Sequence, residues 1–201
     1  MSLAGLPLAA VAAAAAIVAW PVTSPTSPRL VTVSTGSGPA AEVATGFEAG
    51  AGRVVTVAHV LDAGGAVTVA APGARPRRAI VTRVDRSLDL AVLSVAGLPH
   101  HDPPATAVAA PGAVRLLLRP PDGTRPATVR RLVEATIRTL STGTVVRRPA
   151  LELSGTAEPG DSGAPVLSRD GRIIGVVFAT SRTSDGTAWA VDGSTLAALL
   201  R

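Results

Sequence analysis

The chain has 201 residues and a formal charge of +5, with 16% charged and 47% hydrophobic residues, which excludes intrinsic disorder and fits one domain or two small barrels sharing a site. Aromatic residues make up only 2%, so the core must be built from Val, Leu, Ile and Ala. All 19 basic residues are Arg, there is no Cys and there are only three His, which excludes lysine and thiol chemistry, disulfides, zinc ribbons and iron–sulfur ligation. No metal or other cofactor is expected.

Leu3 to Trp20 is an uncharged apolar run rich in Ala, Leu and Val, followed by a Pro-, Ser- and Thr-rich linker from Pro21 to Pro28. The run is at the short limit for a membrane-spanning helix and slightly long for a signal-peptide core. No Arg precedes it, and Ala19 offers a small residue for cleavage in a poor context. An uncleaved anchor, a cleaved signal, the last of several spans and a buried Ala-rich helix all remain open; all but the last place the rest of the chain outside the cytoplasm.

From Leu30 onward, short runs rich in β-branched residues are punctuated by Gly and Pro. They are Leu30–Val33, Arg53–Val57, Ala66–Ala70, Ala79–Val84, Leu90–Val95, Val114–Leu118, Ala127–Glu134, Thr144–Val146, Leu151–Ser154, Ile173–Phe178 and Thr187–Val191. Runs of this length and spacing predict an all-β barrel or sandwich. The Pro-rich stretch His100–Pro111 falls where a boundary between two barrels belongs. Residues 1–29 are thus read as a hydrophobic helix and linker, about 30–105 as a first barrel and about 112–195 as a second. Only the end reads as helical, with Ser194 capping Thr195–Arg201.

Three stretches carry chemistry. Val55-Thr56-Val57-Ala58-His59-Val60 ends an apolar strand on a histidine, Asp89 precedes the strand Leu90–Val95, and Gly160-Asp161-Ser162-Gly163 places a serine in a glycine-flanked turn. A serine hydroxyl is a poor nucleophile until a neutral imidazole takes its proton, and the imidazole needs a carboxylate to fix its tautomer. Glycines let the backbone N–H groups beside the serine point at a developing oxyanion. Chain order discriminates further: no His follows Ser162 and no Asp precedes His59, so only the order His, Asp, Ser remains.

With these residues in that order, the sequence resembles the trypsin-like (chymotrypsin-fold) serine proteases, particularly compact bacterial members of the HtrA type. Thr45-Gly46-Phe47, Thr56–Val60, Asp89-Leu90-Ala91-Val92-Leu93 and Gly160–Gly163 all occur in family order. The regions Glu134–Arg138 and Gly175–Ala179 look like the membrane-anchored periplasmic proteases linked to acid resistance, the MarP type. The resemblance implies two antiparallel β-barrels of the chymotrypsin fold. It also implies His59 as general base, Asp89 as orienting carboxylate, Ser162 as nucleophile, and the N–H groups of Gly160 and Ser162 as oxyanion hole. Thr156, Ala157 and Pro159 would line the first substrate pocket, with substrate pairing along Phe178-Ala179-Thr180. Because Thr156 stands where trypsins carry an acid, cleavage after small or medium apolar residues is expected rather than after Arg or Lys. Ala164 departs from the usual Gly.

The competing readings are structural. Asp85 is read as a turn residue rather than the triad acid, Asp161 as a support of the oxyanion turn, and His100-His101-Asp102 as a solvated loop rather than a metal site. Arg75-Pro76-Arg77-Arg78, Arg130-Arg131 and Arg147-Arg148 lack interleaved aromatics and are read as solvated faces, not a nucleic-acid surface. The expectation is an extracytoplasmic, monomeric endopeptidase acting on polypeptides, membrane-bound if its N-terminal segment is uncleaved and without a PDZ-like domain. A non-catalytic binding module on the same scaffold and an esterase or cell-wall hydrolase are the alternatives.

Overall fold

The computed structural model describes residues 27–38, 41–119, 122–138, 143–181 and 185–201; the proposed N-terminal helix lies outside them. Twelve strands close into two six-stranded antiparallel barrels. The first is built from β1 (Leu30–Thr35), β2 (Glu42–Glu48), β3 (Arg53–Val57), β4 (Thr68–Ala70), β5 (Arg77–Asp85) and β6 (Leu90–Val95), in the order β1-β2-β3-β6-β5-β4. The second uses β7 (Gly112–Leu117), β8 (Thr124–Arg138), β9 (Val145–Ser154), β10 (Pro165–Leu167), β11 (Ile173–Thr180) and β12 (Thr187–Asp192), in the order β10-β11-β12-β9-β8-β7.

Closure leaves no long open sheet edge, and it lets small aliphatic side chains fill each interior. Val31, Val33, Val55, Leu90 and Leu93 pack the first barrel around Phe47, the one large aromatic in it. Leu116, Leu151, Leu153 and Val166 fill the second. Ile173, Val176 and Leu196 of the second half belong to the first cluster, so apolar packing runs across the junction.

Two strands escaped the sequence reading. β2 contains Gly46, which reads as a break, but a Cβ there would come within 2.9 Å of both Val33 and Val54; the glycine lets three strands approach closely. β10 has only three residues, too few to show a period. Conversely, the runs Thr144–Val146 and Leu151–Ser154 belong to one continuous strand, β9, in which Pro149 stands on an exposed position.

The chain ends in a 3₁₀ turn (Gly193–Thr195) and a short helix, α1 (Leu196–Leu199). The expected cap is corrected here: Asp192, not Ser194, supplies the side-chain acceptor, taking the N–H of Ser194 at 2.9 Å. At the other end the carbonyls of Ala198 and Leu199 accept from Arg83, and that of Leu200 from Arg53. Two guanidiniums of the first barrel thus satisfy the helix C-terminus and fasten the last turn of the chain to that barrel.

Candidate active site

β3 and β6 pair antiparallel, with Val57 opposite Leu90. This register sets the residues just beyond, His59 in a 3₁₀ turn (His59–Ala63) and Asp89 before β6, beside each other although they lie far apart in sequence. Asp89 has φ +59°, a left-handed conformation that Asp tolerates better than most residues. Its backbone carbonyl accepts from Ala58 N–H at 2.9 Å, and its carboxylate grips His59 twice: Oδ1 accepts the backbone N–H at 2.9 Å and Oδ2 meets Nδ1 at 2.8 Å. An ionised carboxylate can only accept, so Nδ1 carries the proton and Nε2 keeps its lone pair. Burial pulls the imidazole pKa down, but the hydrogen bond to Asp89 and the charges of Asp89, Glu42 and Asp62 outweigh it and leave it above the usual 6.5.

The serine turn is held from the opposite side. Asp161 N–H donates to Glu158 O at 2.9 Å across Pro159-Gly160, and Gly160 has φ +95°. Proline followed by a positive-φ glycine is the pattern of a type II turn. Thr45 of β2 then clasps the turn, its N–H donating to Ser162 O at 2.8 Å and its Oγ1 to Gly160 O at 2.8 Å. Arg119 reinforces the clasp, donating to Thr45 Oγ1, Thr32 Oγ1 and Gly160 O. Asp161, read as a support, does support: its Oδ2 accepts the Glu158 N–H at 2.8 Å and lies 3.6 Å from Arg125 Nη1. Among the described residues no protein carbonyl takes the N–H of Gly160 or Ser162, and the Ser162 hydroxyl has no hydrogen-bond partner, His59 included.

His59 and Asp89 share a cleft of about 490 Å³ with Phe178, Ala179, Ile137 and Arg148. A second cleft of about 610 Å³ shares Phe178 and Ala179 and reaches Thr180 and Trp189. The pairing of β11 with β12 shifts register between Val177 and Ala179, a bulge at Phe178. Among the described residues β10 pairs with β11 only as far as Val176, so the segment Phe178–Thr180 keeps one edge unpaired. Thr156 and Pro159 are exposed and Ala157 is half-buried; the Thr156 carbonyl is held by Arg125 at 3.0 Å.

Of three further readings of the sequence, that of Asp85 agrees with the structure and those of His101 and Arg148 need adjustment. Asp85 is a turn residue, accepting from Ser87 Oγ and Leu88 N–H. His101 is not simply solvated: its Nε2 stands 3.3 Å from Oε2 of the buried Glu48. Among the described residues no group of three metal-ligating side chains occurs. Arg148 is not on a solvated face; it is 4% exposed, with Nη1 3.4 Å from Asp89 Oδ2 and 3.2 Å from Leu88 O. Alternation along β9 explains the error: Arg147 reaches Glu134, whereas Arg148 shares the other face with Ala150, which packs into the first cluster.

A family model described as a trypsin-like peptidase domain matches residues 44–176. The chain belongs to that family. It is 36% identical over 176 residues to the serine protease Rv3671c of Mycobacterium tuberculosis (strain ATCC 25618 / H37Rv), covering 81% of this chain and 43% of the relative. The chain therefore spans less than half the length of that curated relative. The crystal structure of the Rv3671c protease in its active form superposes with a TM-score of 0.76 at 30% identity, covering 88% of this chain and 81% of that one. The HtrA-type protease AlgW, solved with a tripeptide, gives a TM-score of 0.67 at 20% identity over 87% of this chain and 60% of its own, a likeness of fold.

Proposed function

We propose that this trypsin-like chain is a serine endopeptidase that cleaves polypeptides through an acyl-enzyme. The observation that carries the reading is the double grip of Asp89 on His59, which orients the ring and leaves Nε2 basic. Ser162 Oγ attacks the scissile carbonyl carbon while His59 Nε2 takes its proton. The carbonyl oxygen becomes an oxyanion held by the N–H groups of Gly160 and Ser162. Collapse expels the amine, which receives the proton from His59 and leaves the acyl group on Ser162. Water, deprotonated by His59, then attacks the ester, and the acid departs as Ser162 recovers its proton. The hydroxyl and imidazole need only close on each other when substrate fills the cleft, since catalytic hydrogen bonds often tighten at that stage.

Substrate runs antiparallel to the unpaired edge at Phe178–Thr180, as an added strand. Its first side chain meets Thr156, Ala157 and Pro159, which carry no acid and favour a small or medium apolar group. No cofactor enters this chemistry. Location in the cell envelope, by anchor or secretion, is supported by the apolar run Leu3–Trp20, and a role in envelope stress or acid resistance follows the resemblance of Glu134–Arg138 and Gly175–Ala179 to the membrane-anchored acid-resistance proteases. Among the described residues no helix is long and apolar enough to cross a membrane, and the Leu3–Trp20 run lies outside them. The working unit is a monomer.

The test is hydrolysis of a library of fluorogenic peptides by the purified chain and by Ser162→Ala. Cleavage by the first and none by the second is expected; equal cleavage by both, or none by the first, overturns the reading.

A further inference from the structure

Arg148 is a buried cation whose neighbours are unusual. A guanidinium taken out of water is tolerated when its charge and its N–H groups find partners. Nη1 of Arg148 has Asp89 Oδ2 and the adjacent Leu88 carbonyl, its Nε is buried without a hydrogen-bond partner, and its guanidinium carbon lies 4.9 Å from the centre of the Phe178 ring. Both polar partners belong to the loop that presents the carboxylate to His59. Among the described residues Arg148 is the only side chain besides His59 within ion-pair distance of Asp89.

We infer that Arg148 is a positioning residue of the triad, fixing the Asp89 carboxylate behind His59 and lowering the pH at which the pair becomes competent. The inference rests on the proposed roles of His59, Asp89 and Ser162. Its physical basis is a competition of charges. Asp89 at the head of β6, Glu42 of β2 and Asp62 of the 3₁₀ turn all favour a protonated imidazole. Asp62 is paired with Arg86, and Arg138 of β8, which also lines the cleft, donates to the Gly143 carbonyl. Asp85 adds a more distant negative charge on the Arg148 side. Arg148 of β9 is thus the buried charge set directly against that of Asp89. It shares the carboxylate and weakens its pull on the imidazolium. Without it, the imidazole holds its proton to higher pH, and activity moves with it. The Phe178 ring under the guanidinium fixes its plane, so the carboxylate is oriented as well as charge-balanced.

The experiment compares wild type, Arg148→Met, Arg148→Gln and Arg148→Lys, with rates normalised to the fraction of enzyme titrated by a serine-directed phosphonate. The acid limb of kcat/KM is expected to move up by about one pH unit in the Met and Gln variants. In them kcat should fall roughly tenfold with KM little changed, while Lys restores most of the limb. Independently, the His59 ring carbon followed by NMR in a Ser162→Ala background should titrate at higher pH once Arg148→Met or Arg148→Gln is added. An acid limb and a ring titration that stay where they are in a folded Met or Gln variant overturn the inference, as does a Lys variant that shifts like Met. The two readings fail separately. Hydrolysis surviving Ser162→Ala defeats the proposed function, whereas an inert Ser162→Ala with unshifted Arg148 variants defeats only the role of Arg148.

Discussion

The α-carbon of Gly163 sits against the carbonyl of Thr45, so that a Cβ at Gly163 would stand 1.9 Å from that oxygen. Gly163 also has φ +90° and donates its N–H to Val177 O at 2.7 Å. The turn carrying Ser162 is therefore pressed against β2 of the first barrel with no room for a side chain. That contact, with the two hydrogen bonds from Thr45, brings a serine of one barrel to the histidine side of the other.

Gly163→Ala is expected to lose at least about 3 kcal/mol of stability, since the clash is with backbone and the left-handed φ is strained for any side chain. Gly73 has φ +73° with nothing within 4 Å of a built Cβ, so Gly73→Ala should cost only about 1 kcal/mol. Thermal unfolding of the two variants side by side measures the difference; equal losses would show that the barrel contact contributes little.

Asp89 and Asp85 lie four residues apart but hold different partners, and Asn at each separates them. Asp89→Asn should lower kcat by about 10⁴-fold, because an amide can stabilise the wrong imidazole tautomer. Asp85→Asn should leave kcat near wild type. Burial works against ionisation of Asp85, but hydrogen bonds from Ser87 and Leu88 win and lower its pKa below 3.8. Its contribution to stability is thus present above the unfolded pKa and fades as pH falls through the folded one. The substitution is expected to cost less than about 1 kcal/mol at neutral pH, measured by urea unfolding.

Arg125 holds the segment that carries the proposed oxyanion turn. It holds Thr156 O at 3.0 Å, Glu158 Oε1 at 3.3 Å and approaches Asp161 Oδ2 at 3.6 Å. Arg125→Met should loosen the Gly160 and Ser162 N–H groups relative to the scissile carbonyl. The expected result is a kcat about 10–100-fold lower, somewhat less than deletion of an oxyanion donor, with KM changed little. A rise in KM at constant kcat would instead assign Arg125 to substrate binding.

The imidazole of His59 titrates above 6.5 and is useful only when neutral. Activity should therefore be half-maximal on its acid side at a pH above 6.5 and fall steadily below it. Stability runs the other way: the raised pKa stabilises the fold fully below the unfolded value and that share is lost as pH rises through the folded one. A flat kcat/KM profile from about pH 4 to about pH 8 would remove His59 from the role of base.

Much of this architecture was readable from the residues themselves. His59, Asp89 and Ser162 each sit at a strand end or in a glycine turn, where short apolar runs and chain order are informative, and His59 and Asp89 do pair. Residues whose role depends on barrel closure were not readable. Arg148 looks like half of a basic dipeptide until β9 is known to alternate faces, with Val146, Arg148 and Ala150 on the face opposite Leu151 and Leu153. Counting back from Leu153 and Leu151 lands on Arg147, so the residues of the second-barrel core do not mark Arg148 either. Arg119 and Arg125 carry no local signal, since what they grip is decided by how two barrels meet. Gly46 was the reverse case, a glycine that reads as a break and serves as a place where strands crowd together.

The central claim is that Ser162 is a nucleophile activated by His59, and adduct mapping tests it most directly. The chain is treated with a serine-directed phosphonate and digested, and the modified peptide is sequenced by mass spectrometry. One adduct per chain on Ser162, absent in His59→Ala, is the expected result. An adduct on another residue, or labelling of Ser162 that is undiminished in His59→Ala, would contradict the account.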